Sequence, residues 1–244
     1  MTSPGALFTR KSERNVRAMD GSKRVRTFDR TIPTMLRNLL FTLAFALAPS
    51  LAAAQQPSPD QLVRTTTDEV LAIIKSDKDL QAGNSRKIVE LAEAKVLPHF
   101  DFTRMTRLAV GRAWTQATDA QKEALTKEFR TLLVRTYSTS LSQYRDQKIE
   151  VKPTKMAADD KEVTVRTAVI QQGGPPIPID YAMEKTDSGW KVYDVVIDGA
   201  SLVTTYRGSF NDQIQKGGID GLLKTLADRN RSPEPPKAAL GTKK

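Results

Sequence analysis

Along the chain, apolar residues first recur at helical spacing and then at every second position. From Ser58 to Tyr144 the spacing is three and four residues, which predicts helices. Ser58, Pro59 and Gln61 form a capping box that opens a first helix carrying Leu62, Val63, Thr66, Val70, Ile73 and Ile74 on one stripe. A second helix is predicted from Ser85 to Val96, with Ile88, Leu91, Ala92 and Val96 on one side and Pro98 beyond its end. A short third helix over Phe102–Ala109 ends at Gly111, a residue suited to the C-cap, and Asp101 is placed to cap its start. Thr118 and Gln121 make a second capping box. The long helix that follows carries Leu125, Phe129, Leu132, Leu133, Thr136, Tyr137, Leu141 and Tyr144 on its apolar face.

After residue 146 the period changes to two. Ile149 and Val151 share a face, as do Val163, Val165, Thr167 and Val169, and then Ile177, Ile179, Tyr181 and Met183. Gly173-Gly174 and Asp187-Ser188-Gly189 supply the turns, so an antiparallel meander of four strands is predicted. The fourth strand, from Trp190, behaves differently. Trp190, Val192 and Val196 fall on its even face, and Tyr193, Val195 and Ile197 on its odd face. Two apolar faces predict two coverings: the strand either sits between two layers or has one face lining a cavity. Helical spacing returns over residues 200–228, with "QKGGIDG" reading as a break in it.

The formal charge of +10 suggests nucleic acid until it is located. Residues 1–54 hold nine basic and three acidic residues, and 231–244 hold four and one. That leaves 25 basic against 24 acidic residues in 55–230, so the predicted folded part is nearly neutral and nucleic-acid binding loses its support. "MLRNLLFTLAFALAPSLAAAQQ" has a basic start, a short apolar stretch and an Ala-rich end. It is read as a cleaved signal peptide over 35–54, with Met35 as the start and 1–34 as upstream sequence. A single domain over 55–230, a disordered Pro- and Lys-rich tail over 231–244, and a periplasmic location follow as expectations. The chain has no cysteine, so an exported domain of this kind has to stand on its core alone.

Catalytic chemistry is poorly represented. His99 is the single histidine, no Ser lies in a G-x-S-x-G context, and neither a Walker loop nor a G-x-G-x-x-G after a strand is present. No metal or other cofactor is expected. Asp194 is expected to bond a loop or to pair with Arg207 or Arg166.

"HFDFTRMTRLAVGRAW", "KEFRTLLVRTYSTSLSQY", "GWKVYDVVIDGASLVTTYRGSF" and "GGIDGLLKTL" resemble, in order and spacing, the MlaC family over about residues 62–228. These are periplasmic phospholipid-binding proteins, also described as toluene-tolerance auxiliary components of an ABC transporter. The resemblance implies an α+β fold with a curved antiparallel four-stranded sheet and surrounding helices enclosing an apolar cavity. It also implies a monomeric lipid shuttle, without enzymatic activity, that maintains outer-membrane lipid asymmetry. Its implied partners are phospholipid, an inner-membrane ABC transporter ring component and an outer-membrane lipoprotein–porin complex. The candidate lipid-binding residues are Phe129, Leu133, Tyr137, Tyr181, Met183, Tyr193, Val195, Ile197, Leu202 and Tyr206; with the resemblance, the even face of the fourth strand is expected to be core and its odd face, continued by Leu202 and Tyr206 after Gly199, to line the lipid chamber. Two alternatives stand beside this reading. One is an enzyme acting on a small apolar molecule through Asp180, Tyr181, Asp194 and His99; the other is an envelope adaptor without a ligand.

Overall fold

A computed structural model describes residues 56–142, 147–171 and 173–234, with side chains in the first stretch described to Ser138. The leader at 35–54, the stretch 1–34, the Leu141 side chain, Tyr144 and the tail from residue 235 lie outside the described residues.

Among the described residues six α-helices and five strands follow in order: α1 (Pro59–Ser76), α2 (Lys78–Gln81), α3 (Ser85–Lys95), α4 (Phe102–Val110), α5 (Asp119–Ser142), β1 (Lys148–Val151), β2 (Glu162–Ile170), β3 (Ile177–Thr186), β4 (Gly189–Ile197), β5 (Ala200–Ser201) and α6 (Leu202–Arg231). The expected caps are present. Ser58 Oγ accepts from the Gln61 amide at 3.4 Å, and Asp101 Oδ1 accepts from the Arg104 amide at 2.8 Å. Thr118 and Gln121 form the reciprocal box, with amide-to-side-chain bonds of 3.2 and 3.0 Å. Gly111 ends α4 at φ 66°, a conformation that favours glycine. Inside α6, Gly218 adopts φ 67° and ψ −167°, which breaks the helix within "QKGGIDG" as expected.

The strands form one open antiparallel sheet in the order β1-β2-β3-β4-β5. It has five strands rather than the expected four. Asp198 and Gly199, at φ 50° and 80°, turn the chain back tightly enough for Ala200–Ser201 to pair with β4 before α6 starts.

The register of β3 against β4 corrects the reading of the fourth strand. Tyr181 pairs with Val195 and Ala182 with Asp194, but Met183 pairs with Val192, so Tyr193 is an extra residue in a β-bulge. One inserted residue reverses the parity of everything beyond it. Trp190 and Val192 before the bulge therefore share a face with Val195 and Ile197 after it. Tyr193 faces the other way, and Val196, opposite Asp180, is on that outer face too. The strand has one apolar face whose phase shifts, and no second face that needs covering.

Three apolar clusters result. Met105, Leu125, Phe129, Leu132, Phe210 and Leu222 belong to the first, where α4, α5 and α6 meet. The second lies on the inner face of the sheet, around Val165, Met183, Trp190, Val192 and Val195, covered by Leu62 and Val63 of α1, Phe100, Tyr137 and Leu202. The third ties the far end of α1 to α2 and α3 through Val70, Ile74, Leu80 and Ile88. Phe100 and Tyr137 pack against both of the first two clusters and so join helices to sheet.

Candidate functional site

The inner face of the sheet is a stack of cross-strand rows, because residues paired across antiparallel strands share a face. Ile149, Val169 and Ile177 form the first row; Val151, Thr167, Ile179 and Ile197 the second; Val165, Tyr181 and Val195 the third; Val163, Met183 and Val192 the fourth. Lys185 and Trp190 close the series.

Covering of these rows is uneven. Met183 and Val165 are 0% exposed and Val192 is 3% exposed, so the third and fourth rows contain a tightly filled region. The first row is half-buried throughout. In the second row Thr167 and Val151 are buried, yet Ile179 and Ile197 keep partial access. A half-accessible strip thus runs along β3 through Ile177, Ile179 and Tyr181, with Ile197 beside it, and stops at Met183. β3 is the central strand of the five, the place where inward side chains are normally the best covered. Half-accessible Ile179 and Tyr181 there, beside buried Thr167, Val165 and Val195, mark an apolar strip that the helices do not fully cover.

Tyr181 is the innermost residue of this strip. Burial pushes its phenol above the ordinary value, and a hydrogen bond with the Thr167 hydroxyl partly offsets that rise. Thr167 in turn donates to the Ile179 carbonyl at 2.7 Å, so the polar atoms here are satisfied within the sheet. On the helical side, Tyr206 also has its phenol pushed up by burial, against hydrogen bonds with Thr136 and Tyr137.

The expected lipid-binding residues fall into three groups. Tyr137, Tyr181 and Ile197 are half-buried and pack against the sheet cluster, while Met183, Val195 and Leu202 are buried within it. Phe129, Leu133 and Tyr206 belong to the filled helical cluster. There Phe129 makes edge contacts to Tyr206 and Phe210, with ring centroids 5.1 and 5.0 Å apart. Tyr193 is separated from all of them. Its ring lies under the Arg104 guanidinium, 3.6 Å from centroid to charge, and its hydroxyl donates to Glu162 at 3.2 Å. Arg104 also pairs with Glu162 at 2.6 Å and with Glu184, an outer-face clamp that joins α4 to β2, β3 and β4. Four half-buried residues of the inner face, Ile149, Val169, Ile177 and Ile179, were not among the expected candidates. Their alternation was legible, but alternation alone does not tell a filled row from an open one.

The enzyme candidates do not converge. Tyr181 points inward while Asp180, one residue away, belongs to the opposite face. Asp194 accepts from Ser201 Oγ at 2.6 Å and from the Val195 and Val203 amides at 2.8 and 3.1 Å, which occupies it in holding the start of α6. Beyond the adjacent Val195 its partners are on the N-cap and first turn of α6, not on a loop and not Arg207 or Arg166 as expected. His99 sits in a one-turn 3₁₀ helix, its pKa lowered by burial and by Lys191 against the opposing pull of Glu69. Among the described residues no three His, Asp or Glu side chains cluster as a metal site, and no helix is long and apolar enough to cross a membrane.

Residues 64–228 match the sequence profile of the MlaC protein family. The toluene tolerance protein ttg2D of Pseudomonas putida is 29% identical over 196 residues, covering 80% of this chain and 89% of that protein. The intermembrane phospholipid transport system binding protein MlaC of Haemophilus influenzae is 24% identical, over 80% of this chain and 92% of its own length. Among solved structures, the phospholipid-binding protein of Ralstonia solanacearum, in complex with a phospholipid, superposes with a TM-score of 0.67. It is 43% identical and covers 71% of this chain and 97% of its own.

Proposed function

This chain belongs to the MlaC family, and we propose that it is a periplasmic phospholipid-binding transport protein whose cargo lies along this strip, in a trough over β3. The carrying observation is the half-accessible apolar strip on the central strand, in a chain 43% identical to a protein solved with a phospholipid. Residues 55–230 are taken as the lipid-binding domain, and the signal-like leader supports export.

The physical task is to move an acyl chain through water. Each methylene exposed costs about 0.8 kcal/mol, so a free phospholipid leaves a bilayer slowly and a sheathed one does not have to meet water at all. Ile177, Ile179, Ile197 and Tyr137 supply apolar wall, and the Tyr181–Thr167 pair adds no unsatisfied polar atom to it. The headgroup would sit at the first row, outside the filled region. No bond is made or broken, and the function calls for no acid, base or nucleophile. Lipid would be exchanged with an inner-membrane ABC transporter component and an outer-membrane lipoprotein–porin complex, the partners that family membership implies.

A vesicle assay tests this reading. Donor vesicles carrying a pyrene-labelled phosphatidylethanolamine are mixed with unlabelled acceptors. Catalytic amounts of the protein are expected to speed transfer at least about tenfold over the spontaneous rate, as exposure of several methylenes is avoided. An unchanged rate, with no label in the soluble fraction, would contradict the proposal.

A further inference from the structure

The accessible strip does not fade out along β3; it stops at one row. Ile177, Ile179 and Tyr181 keep partial access, and Met183, two residues further on, has none. Val165 at 0% and Val192 at 3% exposure flank that stop from the neighbouring strands. Beyond it Trp190, 5% exposed, borders a separate groove of about 550 Å³ shared with Gln56, Pro57, Met156 and Lys185. Met183, Val165 and Val192 therefore form a closed septum, a filled layer between the half-accessible strip on one side and that groove on the other.

We infer that this septum is the floor against which the acyl terminus rests, and that Met183 sets the chain length the protein prefers. The inference rests on the trough being the lipid site. Inward residues on a strand are about 6.8 Å apart, so the floor lies about 20 Å below the first row. A chain shorter than the trough leaves the floor uncovered, and a longer one has methylenes it cannot bury. Selectivity on the long side follows from that excess, about fourfold in affinity per methylene left in water. Met183 is the residue to change because its side chain is unbranched. Met183→Ala removes the Cγ, Sδ and Cε atoms and opens room for about as many acyl carbons without touching the half-accessible wall.

The test uses delipidated protein and vesicles of phosphatidylethanolamine carrying an equimolar series of acyl chains from myristoyl to arachidoyl. Bound lipid is identified by mass spectrometry after separation from the vesicles. Met183→Ala is expected to shift the bound distribution toward longer chains than the wild type takes. Val165→Ala, a smaller deletion in the same floor, is expected to shift it in the same direction by less and serves if the first variant does not fold. Folded variants that bind lipid with the wild-type distribution would overturn the floor assignment while leaving the carrier reading intact. A wild type that takes up no lipid would overturn both.

Discussion

At the scale of single residues, the most informative position is Tyr193. Inserted as a bulge, it carries Val195 and Ile197 from one parity to the other, and it leaves the inner face to ride under Arg104. Val195 and Ile197 then differ in a way that can be measured. Val195 is 8% exposed among filled rows, whereas Ile197 keeps partial access beside the strip. A carboxylate at Val195 has no water to solvate it, so Val195→Glu is expected to cost about 3–5 kcal/mol and to lower the urea midpoint steeply. Ile197→Glu, with the trough to hydrate it, is expected to cost about 1–2 kcal/mol and to stay folded, yet to lose phospholipid binding at least about tenfold. Circular dichroism and lipid phosphorus per protein separate the two. An Ile197→Glu variant that retained its lipid would remove that residue from the site.

At the scale of elements, the outer face shows what holds α4 to the sheet. Glu162 and Glu184 pair across β2 and β3, and Arg104 from α4 lies between them with 16% of its side chain exposed. The Arg104 hydrogen bond holds the Glu162 carboxyl below its ordinary value of 4.5, against a smaller opposing effect of burial. A depressed carboxylate stabilises the fold above its unfolded pKa, and that contribution is lost as pH falls through the folded value. Arg104→Met, which leaves two carboxylates facing each other, is expected to cost about 1–3 kcal/mol at neutral pH, less than a fully buried pair because Glu162 is half-exposed. The gap to the wild type is expected to narrow as pH falls below about 4.5, measured by urea titration across that range. A gap independent of pH would show that the clamp is packing rather than charge.

The elements also show how far sequence reaches. Capping boxes, the Gly111 stop and the Gly218 break are local chemistry and could be read directly. So could the alternation of β1, β2 and β3. The bulge left a trace as well, since the apolar positions change parity between Val192 and Val195, but a phase shift and a two-faced strand have the same letters. Resolving them takes the pairing partner, Met183 against Val192. Whether a row is filled or open depends on what packs over it from α1 and α5. For that reason the candidates include Phe129, Leu133 and Tyr206, which pack in the helical cluster, and leave out Ile177 and Ile179, which read only as one face of a strand.

At the scale of the whole molecule, the near-neutral folded part, the helical cluster and the sheet divide the labour. The helices and the filled rows beyond Tyr181 provide stability, which a chain without cysteines has to draw from packing. The strip through Ile177, Ile179 and Tyr181 is left under-covered, an arrangement that gives up burial in the empty protein and would regain it with an acyl chain lying along it, as proposed above. Binding and stability are then linked, and bound phospholipid should raise the melting temperature. The most direct test is native mass spectrometry of the domain purified without detergent. The account predicts an added mass of phospholipid on the wild type that disappears in folded Ile197→Glu. A wild-type protein that stays empty, even after incubation with phospholipid vesicles, would contradict it.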